Sequence, residues 1–159
     1  MRLENEQYEE IKRVAIDTFS LYGIRCIPIS AFEMATKMGI KIVPYSALNE
    51  EKRIAAMRES NGRINQTIMH EIGHYAMGHI KDGEEEEAEA NFFAKYALAP
   101  PPLIDNFIEN VTPDAIRTTF DLSNQAAKYA YWYYRSWLYN GIGHYTDYEE
   151  KMLDLFKAV

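Results

Sequence analysis

The sequence predicts an α+β fold, mostly helical with a small β-sheet. Residues 1–110 are expected to form the core, and residues 111–159 a helical, helix-turn-helix-like segment packed on it. Three observations carry this expectation. Apolar residues recur at helical spacing through most of the chain, and the short stretches CIPIS and IKIVPY read as extended. Thr112-Pro113-Asp114 is a strong helix start that opens a separate run of helices.

Each element has a local reason. Tyr8, Ile11, Val14, Ala15, Thr18, Leu21 and Tyr22 recur at helical spacing from Asn5 to Tyr22, and Gly23 supplies the stop. Ser30 and Glu33 have capping-box spacing and open the short helix AFEMATKM, which Gly39 closes. IKIVPY reads as a strand, with Pro44 at its end or on a sheet edge. Residues 52–65 fit either a β-hairpin about Asn61-Gly62 or a short helix followed by one strand. The hairpin is favoured, because that dipeptide suits a two-residue turn. Helices then run from about Asn65 to Ile80 and from about Glu84 to Leu98, joined by Lys81-Asp82-Gly83, and Pro100-Pro101-Pro102 ends the second. Beyond Thr112, Ser123 caps a helix from Asn124 to about Tyr139. Asn140-Gly141-Ile142-Gly143 breaks the chain before a last helix near 148–157.

Composition excludes several classes. With 47% hydrophobic residues, the 159-residue chain is too apolar for a disordered protein and rich enough for a sizeable core. Its apolar runs fall short of a membrane span, and Met1 leads into the charged LENEQYEEIKR, so neither a membrane anchor nor a secretory segment is expected. The single cysteine, Cys26, leaves no intramolecular disulfide and fits a reducing, cytoplasmic setting; it reads as a small buried apolar residue. A net charge of −7 argues against broad contact with phosphate backbones.

The stretch IMHEIGHYAMGHI, residues 68–80, holds three of the four histidines. On a helix His70 and His74 lie one turn apart on the same face, where both imidazoles reach a single zinc ion at about 2.0–2.1 Å. Glu71 lies beside them, within reach of a water at that ion. Gly73 costs up to about 1 kcal/mol inside a helix relative to Ala, and its missing side chain lets another element approach closely. A hydrolytic zinc site needs a third protein ligand and an open position. In EEEEAEANFFAKYALAP, Glu89 lies within roughly 60° of Phe92, Phe93 and Tyr96, so it sits near the centre of the apolar stripe, while Glu84, Asn91 and Lys95 point away. A carboxylate so placed calls for a positive partner, and an ion held by His70 and His74 would be one. Glu85 and Glu86 read as solvated charges at a helix start. His79, about 180° round the helix from His70, reads as a hydrogen-bonded structural histidine.

Together, HEIGHYAMGH and EAEANFFAKYALAP resemble the ImmA/IrrE family of small HExxH metallopeptidases. Glu89-Ala90-Asn91, Phe93-Ala94, Leu98 and Pro100 match the pattern of that family's second helix, while Ala97 and Ala99 depart from it. The likeness is strongest from about residue 67 to 100 and weaker for the first helix and ISAFEMATKMGIKIV. It implies a zincin-like core, Zn2+ held by His70, His74 and Glu89, and Glu71 as catalytic acid/base in peptide hydrolysis. The oxyanion stabiliser stays open among His79, His144, Tyr45 and Tyr145. By analogy the substrate is a helix-turn-helix transcriptional repressor of a mobile element, phage or stress response. The alternative is a non-catalytic anti-repressor with a structural or vestigial metal site. Direct nucleic-acid binding is not expected: the helix after Ser123 offers Gln125, Lys128 and Arg135 among Tyr129, Tyr131, Trp132, Tyr133, Tyr134 and Trp137. Such an aromatic stripe reads as core or protein interface that also shapes a substrate groove.

Overall fold

Helix α1 (Asn5–Tyr22) buries Ile11, Ala15, Ile16, Thr18 and Phe19 along one stripe and closes at Gly23, whose N–H bonds the Phe19 carbonyl. The computed structural model describes residues 1–42, 61–141 and 144–157. Helix α2 (Ala31–Lys37) begins at Ser30, whose hydroxyl accepts from the Glu33 N–H at 3.2 Å. Asn65 ties the segment before α2 to the next helix: its side chain accepts from the Ala31 N–H at 2.7 Å and donates to the Ile29 carbonyl at 3.1 Å.

Helices α3 (Asn61–Ala76) and α4 (Glu84–Leu98) follow. Then come α5 (Pro101–Phe107), α6 (Pro113–Phe120), α7 (Asn124–Asn140) and α8 (Asp147–Lys157). Thr112 and Ser123 each cap their helix, accepting from the N–H of Ala115 and Ala126. The triple proline does more than stop α4. Pro101 and Pro102 occupy the first turn of α5, where no intrahelical N–H bond is needed.

Helix α4 lies at the centre and packs against α1, α3 and α7. Tyr8 of α1 and Tyr133 of α7 both meet Phe92 edge-on, at centroid distances of 4.7 and 5.9 Å. Helix α8 returns to α1 through Phe156 on Phe19 at 5.7 Å. One cluster of buried apolar side chains runs from Leu3 to Phe156, joining residues on both sides of position 110.

The expected α+β class is overturned. Helices account for 72% of the described residues and none of those residues lies in a strand. Ile40, the first residue of IKIVPY, instead completes the end of α2: its N–H bonds the Ala35 carbonyl at 2.8 Å while Gly39 takes a positive φ of 74°. Ile40 and Ile42 pack against the core as side chains of an irregular segment. Asn61-Gly62, read as a hairpin turn, belongs to the first turn of α3. The rest of that strand and hairpin, residues 43–60, lies outside the described residues, as does Tyr45. Cys26, expected to be buried, is exposed. Among the described residues, no helix is long and apolar enough to cross a membrane.

Candidate metal centre

Helix α3 buries Met69 and Ile72 and turns Arg63, Gln66, Thr67 and His70 toward a groove of about 850 Å³. The opposite wall is the polar face of α4 (Glu87, Asn91, Ala94 and Lys95), and the start of α7 from Ser123 to Ala126, with Tyr129, closes the third side. Two features hold α3 against α4. Gly73 is one: a Cβ there would lie 3.1 Å from Phe93 Cβ, so the expected close approach at this glycine is present. The turn after Ala76 is the other. Gly78 takes φ 71°, the His79 N–H bonds the His74 carbonyl at 3.0 Å, and the Gly78 N–H bonds that of Tyr75 at 3.1 Å. That pattern ends α3 four residues before the expected Ile80 and folds His79 back over His74.

At the groove's edge the Nε2 atoms of His70 and His74 are 3.2 Å apart. Glu87 brings Oε1 to 2.9 Å from His74 Nε2 and Oε2 to 3.2 Å from His70 Nε2. Among the described residues, His70, His74 and Glu87 form the group able to hold a metal ion. The chemistry of the donors fits zinc, and one donor atom from each of the three residues lies within 4.8 Å of the others. The histidine side chains are 18% and 16% exposed and the Glu87 side chain 48%, so the donors are fixed by packing on one side and open on the other.

Of the four residues expected at the site, His70 and His74 converge. Glu89 does not join them: its Oε2 pairs with His79 Nε2 at 2.7 Å, and its Oε1 accepts from Gln7 Nε2 at 3.3 Å. The ring of His79 meets His74 instead of facing away, Nδ1 to Nδ1 at 2.9 Å, because it stands past the helix end and the helical wheel does not govern it. Glu71 is exposed on α3, about 100° round from His70, and the groove is lined without it. His144 and Tyr145 line a different cavity, of about 220 Å³. There the Tyr145 hydroxyl donates to Asp105 Oδ2 at 2.7 Å, and burial, followed by this bond, raises its pKa.

Sequence reasoning gave no role to Glu87: in the run Glu84–Glu87, Glu85 and Glu86 read as solvated charges at a helix start and Glu84 as pointing away. A signal was present on the face taken to point away. Glu87, Asn91 and Lys95 recur at i, i+4 and i+8 on a helix that is otherwise buried from Phe92 to Leu98, marking a polar wall that an accessible site requires. No protein-family profile, curated protein or solved structure matches the chain.

Proposed function

We propose that the chain is a zinc-dependent peptidase whose metal is held by His70, His74 and Glu87. The observation that carries this reading is the convergence of three electron-pair donors, one from each residue and within 4.8 Å of one another, at the edge of an open polar groove. A zinc ion held there would supply a Lewis acid able to polarise a peptide carbonyl and lower the pKa of water. Glu71, next to His70 and open to solvent, takes the proton from the attacking water on its carboxylate and returns it to the leaving amine. Gln66, Asn91 and Lys95 offer hydrogen-bond partners to a peptide lying in the groove. The resemblance to ImmA/IrrE peptidases makes a helix-turn-helix repressor the preferred substrate.

A second reading has one observation in its favour. Because Glu71 does not line the groove, a protein-binding regulator with a structural ion fits the same triad. The two separate on one experiment. The zinc-loaded protein is incubated with a small helix-turn-helix repressor, with and without chelator. Cleavage by the parent is expected to stop with chelator, and to fall at least about 100-fold in Glu71→Gln while the variant keeps its zinc by elemental analysis. A Glu71→Gln protein that regulates the repressor as well as the parent does would reject the peptidase.

A further inference from the structure

We infer that the exposed face of α7 is a docking surface for an acidic amphipathic helix of a protein partner, laid along it from the groove outward. Lys128, Trp132, Arg135 and Tyr139 are exposed and recur at i, i+4, i+7 and i+11. At about 100° per residue they form one strip within about 60° of arc. Trp132 and Tyr139 leave 69% and 85% of their surface in solvent. The helix, NQAAKYAYWYYRSWLYN, holds two cations and no acidic residue, in a chain whose net charge is −7. Among the described residues neither Lys128 nor Arg135 forms an ion pair. The strip is continuous with the groove: Gln125 and Tyr129, at its start, line that groove beside Lys95, whose ammonium lies 4.4 Å from the Tyr129 ring. Tyr129 stacks on Tyr133 at 6.1 Å and Tyr133 meets the buried Phe92, so this end is fixed to the core. Trp132 packs edge-on against Tyr131 at 5.3 Å. Aromatic groups held in this way lose little freedom when a partner covers them.

The spacing and the charge name the occupant. Steps of four, three and four residues are the ones a second helix fits side by side. Lys128 and Arg135 stand one heptad apart, about 10 Å along the axis, with Trp132 between them. A partner helix with two carboxylates one heptad apart and a large apolar residue between them meets both cations and covers the indole. Trp, Tyr and Arg are also the residue types that carry most binding energy at interfaces. Over the rest of the chain acids outnumber bases, so an acidic partner is repelled there and drawn to this face. Two other occupants fit less well. A second copy related by a two-fold axis sets these cations against each other, like charges opposed. A nucleic acid needs many phosphates neutralised, and two cations on an acidic chain supply few. The inference needs no metal and holds whether the groove cuts a peptide or only binds one.

A displayed library of random peptides about four helical turns long tests this, selected on the full-length chain without added metal so that the result does not depend on the zinc reading. Recovered sequences should pair Asp or Glu one heptad apart around a large apolar residue. The most enriched peptide, made synthetically, should shift the Trp132 indole N–H resonance. Trp132→Ala should weaken its binding about 10–30-fold. Lys128→Glu combined with Arg135→Glu should weaken it about 10-fold, mainly through slower association and a lost dependence on salt. All three side chains are exposed, so the variants are expected to keep the parent's helix content by circular dichroism. A library that yields no enrichment, or enriches neutral or basic sequences, would overturn the inference. So would a peptide that leaves the indole resonance unmoved or binds both variants as it binds the parent. Single- or double-stranded oligonucleotides bound more tightly than the peptide would give the face to nucleic acid instead. Self-association of the parent that Trp132→Ala abolishes would give it to a second copy.

Discussion

Gly73 sets how closely α4 approaches the two histidines. A methyl group at that position would meet Phe93 Cβ and Cδ1 at 3.1 Å and Cγ at 3.2 Å. Phe93 is fully buried, and its Cβ is fixed to the α4 backbone, so rotating the ring cannot relieve the contact. Alanine gains up to about 1 kcal/mol of intrinsic helix preference, whereas overpacking a tight core contact costs about 1–3 kcal/mol. Gly73→Ala is therefore expected to lower unfolding free energy by up to about 2 kcal/mol in denaturant titration and to weaken metal binding, since α3 carries the histidines and α4 carries Glu87. An alanine variant as stable as the parent would mean that α4 can withdraw without strain. Part of this geometry was legible beforehand. His70 and His74 are related by a single helical turn, a local fact that any helix enforces, and the glycine between them signalled a close neighbour. Which carboxylate lies beside the two histidines was not legible, because Glu87 and Glu89 lie on different faces of α4, and the answer depends on which face the groove opens along.

At the scale of elements, the pairing of α1 with α8 carries a titratable contact. Glu9 accepts from Lys12 Nζ at 2.5 Å and from the Tyr148 hydroxyl, and Lys151 adds a bridge to Asp17 at 3.0 Å. Burial by itself would raise the Glu9 pKa. The bonds from Lys12 and Tyr148, with the charges of Lys12 and Arg13, outweigh it and hold the carboxyl below its ordinary 4.5. The unfolded chain thus takes up this proton more readily than the folded one. The contribution of Glu9 is complete above about pH 4.5 and is lost as pH falls through the depressed folded value. Glu9→Gln should be less stable than the parent at neutral pH, and the gap should close in acid when melting temperature is followed against pH. A gap that is constant across that range would show that the charge contributes nothing. Elements with their own end signals were read closely: α1 with Gly23, α2 with Ser30, α6 with Thr112 and α7 with Ser123. α5 was not, because three successive prolines look like a terminus unless their tolerance in a first turn is weighed.

For the molecule as a whole, the fold class failed where apolar runs were short. Ile40 and Ile42 satisfy an alternating strand pattern over too few residues to separate it from an irregular segment lying on the core, and only tertiary packing decides between them. What the helical architecture gives the site is distance along the chain: His70 and His74 stand on α3, Glu87 on α4, and the connection between those helices includes the turn at Gly78. An ion bridging them belongs to the folded state alone, because the unfolded chain does not hold the three donors within 4.8 Å of one another as the fold does. Binding must then raise stability by mass action, by about 2.7 kcal/mol at a free metal concentration 100 times the dissociation constant. For a chain of this length, each kcal/mol moves the melting temperature by about 2–4 °C, so a rise of about 5–10 °C is expected on saturation with zinc. Chelator should reverse it, and Glu87→Gln should reduce it to a small residue, because the amide is a poor zinc ligand. A rise of equal size in Glu87→Gln would place the stabilising ion elsewhere, and an unmoved transition in the parent would leave the donor triangle without a metal to hold.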